Sequence, residues 1–487
     1  MTLPSGAAAT GHGDATEIAL KVLGSGGTAA DAAVAAAFAL FVLMPEACGL
    51  GGDAFAVVTT PHESLALNGS GDAPAEWANG NAGTGAATAT VPGAVGALAQ
   101  LHARCGGSDW GALIAPAVSL ADGGILVSPT LRAAMARRST TLDITARDWS
   151  IRQGHHTPDS KVPQPALASV LRSIAADGSA AFYEGWIGRE LARSTRESGG
   201  LLSEADLARH TTDINSPVSI EIGDWVVHAS PPVSQGVLIP FALTALHHAS
   251  TTDTARAHLL AETLEEGFVW RPRLDDGAAV DSLPWTWTPP GQQARRLVGA
   301  RGTAHTTSVC TADSQGMVVS LLISVFHEFG SGHLVPQLGF FLNDRILGFR
   351  DTQDRRARRP VHTLAPVIVA SSTTCVALAT PGADAQVQVL SQVLDAVLHE
   401  GDTWDSALSR PRWRLEAGQL VIEDDADPDL ITALKRWGHD VRIVARPDHA
   451  MGAVTIAGWS QAAGAPQRAC FAFADGRRGN SASQRPR

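Results

Sequence analysis

The sequence predicts an α+β fold in which helices and strands are mixed and the strands cluster after residue 305. The first observation is a hairpin, because Thr306–Ala312 and Met317–Phe326 are rich in Val, Ile, Thr and Ser and flank the polar turn Asp313–Gly316. The second is the segment Ala29–Met44, which is apolar on nearly every face and predicts a central buried helix.

Weaker patterns place the other elements. The stretch Ser250–Arg301 is the least regular and predicts a surface loop, in which the Trp-rich run Val280–Pro290 either lines a pocket or covers a core edge. The tail 479–487 is polar and is expected to be disordered. Helical patterns occupy residues 14–22, 28–43, within 93–122 and 164–209, Ala385–His399 and Pro428–Gly438, and strand-like runs occupy Pro366–Ala379, Val421–Glu423 and Val441–Val444.

Composition excludes several classes of protein. The chain has 487 residues, 45% of them hydrophobic, and a net charge of −11, which favours a large globular core and disfavours a nucleic-acid partner. The N-terminus lacks the pattern of a signal peptide, and the longest apolar stretch is too short to span a membrane, so a cytoplasmic protein without membrane contact is expected. Its five cysteines are widely spaced and predict free thiols.

Common catalytic and metal-binding motifs are missing from the sequence. It contains no GxSxG, no Walker GxxxxGK[ST] and no HExxH. The spacing of His327, Glu328 and His333 fits no standard zinc pattern, so neither a metal nor a cofactor is expected. Cys310 lies within a predicted strand, where an inert buried thiol is favoured over a nucleophile.

A series of ordered motifs nevertheless resembles the gamma-glutamyltransferase family. The resemblance runs from about residue 8 to residue 478 and includes a Thr at the start of the hairpin. The motifs are GGTAADAAVAAAFAL (Gly26–Leu40), MPEACGLGGDAF (Met44–Phe55), VPGAVGAL (Val91–Leu98), the hairpin from Thr306, FGSG (Phe329–Gly332), RRPVHTLAPVIV (Arg358–Val369) and TPGADAQVQVL (Thr380–Leu390).

This resemblance implies an N-terminal-nucleophile hydrolase with a four-layer αββα sandwich. The precursor would cut itself between His305 and Thr306, giving a large subunit, 1–305, and a small subunit, 306–487, that together form one domain. The expected assembly is an αβ heterodimer, or a dimer of such heterodimers, acting on a small molecule.

The family pattern assigns roles residue by residue. Thr306 would be the nucleophile and use its own freed α-amine as the base. Ser324 stands where the family has a Thr that hydrogen-bonds this amine, and Thr307 matches a second small polar residue near the substrate. Gly382 and Ala383 match the pair whose backbone N–H groups form the oxyanion hole, although Ala restricts the backbone more than Gly does.

The positions that would bind a γ-glutamyl group depart from the family. Gly348 replaces the Asp that binds the substrate amine, and Phe326 replaces a neighbouring Asn. Ser70, with Asp72 nearby, stands in place of the Arg that binds the α-carboxylate, and the paired serines are replaced by His362 and Thr363. The usual γ-glutamyl clamp is therefore missing.

These changes are similar to those of the cytoplasmic branch that includes oxamate amidohydrolases. In that reading, Arg345 and His362 face a small acidic acyl group such as oxalyl, whereas the alternative for Arg345 is a structural salt bridge with Asp344 or Glu328. The favoured function is hydrolysis of a small acyl compound through an acyl-enzyme. The alternatives are carbon–carbon bond hydrolysis in antibiotic biosynthesis of the alkylproline type, a true transpeptidase with a rearranged clamp, and an unprocessed binding protein.

Overall fold

Two sheets lie face to face with helices on both outer sides in the computed structural model. It describes residues 6–77, 83–154, 161–249, 253–275, 293–295, 305–351, 358–465 and 467–484. The first sheet has the strand order β20 (Ser481–Gln484), β1 (Gly6–Thr10), β9 (His305–Asp313), β10 (Val318–Phe326), β2 (Asp53–Thr59), β3 (Ser64–Asn68), β6 (Asp213–Asn215). The second has the order β19 (Ala469–Ala474), β18 (Thr455–Ser460), β14 (Thr374–Ala379), β13 (Val367–Ala370), β8 (Trp225–Ala229), β7 (Val218–Ile222). The order helices, sheet, sheet, helices confirms the four-layer αββα sandwich.

The strands are mostly short and antiparallel. The hairpin β9–β10 lies at the centre of the first sheet. In chain order the strands are β1 (Gly6–Thr10), β2 (Asp53–Thr59), β3 (Ser64–Asn68), β4 (Ile125–Leu126), β5 (Lys161–Val162), β6 (Asp213–Asn215), β7 (Val218–Ile222), β8 (Trp225–Ala229), β9 (His305–Asp313), β10 (Val318–Phe326), β11 (Leu334–Val335), β12 (Phe340–Phe341), β13 (Val367–Ala370), β14 (Thr374–Ala379), β15 (Trp413–Glu416), β16 (Gln419–Glu423), β17 (Val441–Val444), β18 (Thr455–Ser460), β19 (Ala469–Ala474) and β20 (Ser481–Gln484).

The helices form the two outer layers. Those that precede residue 210 pack on the first sheet, and α11 to α13 pack on the second. In chain order the helices are α1 (Gly13–Gly24), α2 (Ala29–Leu43), α3 (Ala94–Cys105), α4 (Trp110–Gly123), α5 (Pro129–Arg138), α6 (Ile144–Gly154), α7 (Pro165–Asp177), α8 (Ala180–Tyr183), α9 (Trp186–Glu197), α10 (Glu204–Ala208), α11 (Leu238–His247), α12 (Asp253–Trp270), α13 (Ala385–Leu398), α14 (Trp404–Ser409) and α15 (Pro428–Arg436).

Helix α2 fixes the hairpin β9–β10 to the first helical layer. Every residue of the helix is buried, as its apolar composition predicts. Thr28 and Asp31 form a capping box at its start. The backbone N–H of Ala29 donates to Asp313 Oδ2 at 2.8 Å, and Thr311 Oγ1 donates to the Ala29 carbonyl at 2.7 Å. Strand β9 is therefore tied at its far end to the most buried helix.

Both sheets combine strands from either side of residue 305. In the first sheet β1 lies between β20 and β9, and β10 pairs with β2. In the second sheet β8 pairs with β13. The residues before and after position 305 therefore share one fold and its cores.

Several expectations need correction. Residues 253–270 form helix α12, so Ser250–Arg301 is not an irregular loop throughout, while Val280–Pro290 lies outside the described residues. The tail 479–487 was expected to be disordered, but Ser481–Gln484 pairs with β1 as an edge strand because its backbone completes the sheet. Pro366–Ala379 is a pair of strands joined by a turn. Among the residues that the structure describes, no helix combines the length and apolar composition needed to cross a membrane.

Candidate active site

The hydroxyl of Thr306 lies at the start of β9 in contact with Ser324 on β10. Thr306 Oγ1 donates to Ser324 Oγ at 3.1 Å, and Ser324 Oγ donates in turn to the carbonyl of His305 at 2.9 Å. Thr306 is 4% exposed and Ser324 3%. One serine hydroxyl therefore contacts both the predicted nucleophile and the carbonyl of the peptide bond that precedes it.

The end of β10 has the backbone strain that often marks functional sites. The register of β9 and β10 shifts between Ile323 and Phe326, which brings Phe326 opposite His305. Phe326 has a φ of 80° and Phe329 a φ of 56°, a region that residues with a Cβ rarely adopt. The N–H of Phe326 donates to Ser324 Oγ at 2.9 Å, so this turn helps to fix the serine hydroxyl.

Gly382 and Ala383, the predicted oxyanion-hole pair, form a turn in which both residues have a positive φ. Gly382 has a φ of 130° and Ala383 a φ of 50°, so the alanine adopts the left-handed region despite its Cβ. The Ala383 carbonyl accepts Gln235 Nε2 at 3.0 Å, which stabilises this turn. Within the described part of the chain, neither N–H of the pair donates a hydrogen bond. The preceding Pro381 lines the cavity that holds Thr306.

This cavity has a volume of about 460 Å³ and contains several charged side chains. His305 Nε2 lies 2.9 Å from Glu328 Oε1, and Arg137 of α5 forms a bidentate ion pair with the same carboxylate. Burial raises the pKa of Glu328, but the hydrogen bonds from His305 and Arg137 outweigh it and lower the pKa to about 2. Glu328 is therefore a carboxylate at neutral pH.

Glu46 lines the same cavity, but its pKa is shifted in the opposite direction from that of Glu328. It is 1% exposed, and its Oε2 has no hydrogen-bond partner among the described residues. Burial raises the pKa of Glu46 to about 7, and the nearby charge of Glu328 adds to this effect. The carbonyl of Glu46 accepts the N–H of Phe329 at 3.0 Å, which fixes the backbone of both acids together. We call Glu46, Arg137, His305 and Glu328 the His305 group.

A second polar group lies on the other side of Ser324 and is closed to solvent. Asp53 is the register partner of Ser324 across β2 and β10, and His362 Nε2 lies 3.2 Å from Asp53 Oδ2. Leu364 N–H donates to His362 Nδ1 at 3.2 Å, which leaves the imidazole proton on Nε2. The guanidinium of Arg345 stacks on the Phe326 ring at 4.2 Å. We call Asp53, Arg345 and His362 the Asp53 group.

Burial determines the charges in the Asp53 group. Burial lowers the pKa of His362 well below its ordinary value, and the positive charge of Arg345 lowers it further, so the imidazole is neutral. Burial also raises the pKa of Asp53 to about 7, against the opposing effect of Arg345. The two acids considered as partners of Arg345 make other contacts: Asp344 pairs with His327, and Glu328 pairs with His305 and Arg137. Arg345 Nη2 donates to the Val361 carbonyl at 2.7 Å.

Several of the remaining predicted substrate residues have partners of their own within the protein. Ser70 is fully buried and donates its N–H and hydroxyl to Asn68 Oδ1, and Asp72 pairs with Arg359 at 2.9 Å. The carbonyl of Thr363 accepts Gln235 Nε2. The lining of the Thr306 cavity includes Thr307 but not Ser70, Asp72, Phe326, Arg345, His362 or Thr363.

Thr307 lies against the N-terminal segment of the chain. Its side chain is 2% exposed and packs against Gly11, where a Cβ would come within 2.0 Å of Thr307 Oγ1. A residue larger than Gly at position 11 would therefore displace the Thr307 side chain.

The residues with metal-ligand chemistry have partners within the protein. His327 pairs with Asp344 and His333 with Asp143. In the described ranges, His258, Glu262 and His439 bring ligand atoms within 4.8 Å of one another. His258 Nδ1 contacts His439 Nε2 at 2.8 Å.

Sequence reasoning missed three residues of the site. Asp53 belongs to the quoted GLGGDAF stretch, but only the pairing of β2 with β10 shows that it neighbours Ser324. Glu46 stands within the quoted MPEACG stretch, and the proline and cysteine around it give no sign of a cavity. Glu328 was considered only as a metal ligand or as a partner of Arg345, whereas its position two residues after the β10 bulge brings it to His305.

Comparison with known proteins agrees with this geometry. A family model for gamma-glutamyltranspeptidase matches residues 15–484. The oxamate amidohydrolase proenzyme of Klebsiella pneumoniae subsp. pneumoniae is 29% identical, with 92% of this chain and 93% of the relative covered. The acylase ACY 1 proenzyme of Pseudomonas sp. strain SE83 is 28% identical, with 93% and 89% covered. The crystal structure of cephalosporin acylase from Bacillus halodurans superposes with a TM-score of 0.89 at 27% identity, covering 99% of this chain and 96% of that chain.

The αββα sandwich and the similar acylases define the class as N-terminal-nucleophile hydrolases, and the protein is an enzyme of that class. Within it, the chain belongs to the gamma-glutamyltranspeptidase family.

Proposed function

We propose that the chain is an autoprocessing hydrolase with Thr306 as its nucleophile, and that it cleaves a small acyl compound through an acyl-enzyme. The observation that carries this proposal is the position of the Ser324 hydroxyl between Thr306 Oγ1 and the His305 carbonyl. A hydroxyl donor on the carbonyl that is to be attacked supports the charge that develops there.

Self-cleavage follows from this arrangement. Thr306 Oγ attacks the carbonyl carbon of His305, and Ser324 donates to the oxygen as it becomes negative. The peptide C–N bond breaks as the proton moves to the Thr306 nitrogen, which gives an ester between the His305 carbonyl and Thr306 Oγ. Water then hydrolyses the ester and leaves a carboxylate on His305 and a free amine on Thr306.

Substrate turnover uses the same hydroxyl together with the new amine. An α-amine has an ordinary pKa of about 7.7–8.0, so it accepts the proton of the Thr306 hydroxyl near neutral pH. The N–H groups of Gly382 and Ala383 donate to the substrate oxyanion. The leaving group takes the proton, an acyl-enzyme forms, and water releases the acid.

The substrate class follows from the site and the relatives together. Relatives named oxamate amidohydrolase and acylase support an amide of a small acid, and the absence of the γ-glutamyl clamp at Ser70 and Gly348 agrees with this choice. Hydrolysis of oxamate, for example, would consume one water and release oxalate and ammonia.

Intact mass under denaturing conditions tests the first half of the proposal. The wild type should give two fragments, the smaller beginning at Thr306, whereas Thr306→Ala should remain one chain. Thr306→Ser keeps a hydroxyl and should still be cleaved, which shows that the chemistry rather than the fold is responsible. A wild-type chain that stays intact on incubation would favour the unprocessed binding protein.

Product analysis tests the second half. Cleaved enzyme should release ammonia or an amine from small acyl amides such as oxamate. Release of an organic acid without ammonia or amine would indicate carbon–carbon hydrolysis. Turnover of γ-glutamyl p-nitroanilide that rises when an acceptor is added would indicate a transpeptidase instead.

A further inference from the structure

The His305 side chain occupies a specific place in the Thr306 cavity. Its Nε2 lies 2.9 Å from Glu328 Oε1, and its carbonyl is the one that Ser324 contacts. His305 is thus an acyl group already seated at the nucleophile, with an N–H donor about five bonds from its carbonyl carbon.

Under the proposed function, His305 must leave this place after cleavage. A substrate carbonyl has to reach Thr306 Oγ1, and in the precursor the carbonyl of His305 lies beside that atom. When His305 moves away, Glu328 loses its contact to the imidazole and keeps its contact to Arg137. The vacated space then faces a carboxylate that accepts hydrogen bonds.

Glu46 adds a second acceptor to the same space. Its Oε2 is buried and has no partner in the described part of the molecule, and the residue lines the cavity with His305 and Thr306. A buried carboxyl without a partner is costly, so a ligand that donates to it is bound favourably.

Both arginines of the cavity make contacts within the protein. Arg137 binds both oxygens of Glu328. Arg478 Nε donates to the His449 carbonyl at 2.6 Å. Among the described acceptors near Thr306, Glu46 Oε2 has no hydrogen-bond partner, and Glu328 loses its contact to His305 when that residue leaves.

We propose that Glu46 and Glu328 form, once His305 has moved, a binding site for a protonated amine on the acyl part of the substrate. The inference rests on the proposed function and adds the substrate class: acyl compounds with an ammonium group about five bonds from the reacting carbonyl, as in the seated His305. The same two carboxyl groups would hold the ammonium of the acid that is released.

Binding of product-like acids tests the site without the need for turnover. The probes are 5-aminopentanoate and pentanoate, which differ only in the amine, and their affinities are measured by ligand-observed NMR titration at pH 7.5. Cleaved wild type should bind 5-aminopentanoate about tenfold more tightly than pentanoate, as expected for charge-assisted hydrogen bonds. Equal affinities, or no binding of either acid to cleaved protein, would overturn the proposal.

Four variants make the result specific. Glu46→Gln and Glu328→Gln should lose the preference for the amine, whereas Asp448→Asn, which changes another acid of the cavity lining, should keep it. Uncleaved Thr306→Ala should show no preference because His305 still occupies Glu328. If Glu328→Gln is not cleaved, Glu46→Gln provides the comparison alone.

The two proposals fail in different ways. A wild type that remains one chain in the mass measurement contradicts the proposed function. Cleaved wild type without a preference for the amine contradicts only this inference.

Discussion

The two polar groups that flank Ser324 differ in access and in charge. Three members of the His305 group, Glu46, Arg137 and His305, line a cavity of about 460 Å³, and the group combines an ionised Glu328 with a Glu46 whose pKa is raised to about 7. In the Asp53 group every side chain is nearly inaccessible, and the imidazole of His362 is neutral. Both groups contain acids and bases, but only the first can meet a solute.

The difference in access indicates which of the two groups is open to a substrate and which is closed within the protein. Polar groups that are closed to solvent fix a geometry, whereas groups with spare hydrogen-bonding capacity in a cavity are free to bind. The contact of His362 with Asp53 and the stacking of Arg345 on the Phe326 ring lie within such a closed group. Under the proposed amine site, recognition of the substrate would fall to the His305 group.

Removal of the Ser324 hydroxyl, which lies between the two groups, should have the largest effect, and it should act on the rate of self-cleavage. Ser324→Ala removes the donor to the His305 carbonyl and should slow self-cleavage about 10²–10³-fold, the usual cost of one oxyanion donor. Cleavage is followed by gel or mass spectrometry over time. Ser324→Thr keeps the hydroxyl and should cleave at a rate near that of wild type. Equal rates for the Ala and Thr variants would show that Ser324 has no part in the reaction.

A change in the closed group should reduce stability. His362→Ala removes the contact to Asp53 and the packing against Phe55, whose ring lies 4.6 Å away, and should lower the free energy of unfolding by about 2–4 kcal/mol. Denaturant unfolding of the Thr306→Ala precursor measures this without the complication of cleavage. His362→Gln can still donate to Asp53 and should lose less. A loss below that of an exposed substitution would mean that the Asp53 group does not support the fold.

The pH dependence of stability should distinguish the Glu46 carboxyl from an ordinary one. A folded pKa of about 7, above the ordinary 4.5, means that the fold favours the protonated acid. Its contribution is therefore complete below about pH 4.5 and is lost as the pH rises through 7. Thermal unfolding of Glu46→Gln should fall less between pH 5.5 and 8.5 than that of wild type, by on the order of 1–3 °C. Asp448→Asn serves as the control, and parallel curves for wild type and Glu46→Gln would contradict the assignment.

The smallest effect is expected at a position that the family pattern placed near the substrate. Asp72 pairs with Arg359, which also pairs with Asp213, so Asp72→Asn leaves that guanidinium a partner. We expect a change below about 1 kcal/mol in unfolding free energy and unchanged self-cleavage. A large loss of substrate turnover in Asp72→Asn, with cleavage intact, would return this residue to the binding site.

The sequence predicted those parts of the fold whose signals are local. The apolar run of α2 and the hairpin around Asp313–Gly316 carry their own periodicity and turn residues. The strand Ser481–Gln484 carries no such signal, because its pairing with β1 joins the two ends of the chain. Helix α12 was missed because the prolines that follow it dominated the interpretation of the whole stretch.

The contacts of the candidate site also divide into those that local sequence predicts and those that it does not. The partnership of Thr306 and Ser324 follows from the hairpin and the family pattern, and the geometry agrees with it. The closeness of Asp53 to Ser324 and of Glu46 to Glu328 depends on which strands and loops become neighbours across the sheet. Such contacts between residues distant in sequence have no period or spacing from which they could be predicted.

Because both sheets combine strands from either side of residue 305, refolding should depend on whether the chain was cut before or after it folded. Strand β1 has β20 on one side and β9 on the other, and both neighbours come from beyond residue 305. A chain cut at His305 keeps its fold because all pairings already exist. Two separately made pieces would each have to find partners for bare strand edges, which favour aggregation. Self-cleavage would therefore leave a particle that is stable as long as it stays folded but does not renature once it has been unfolded.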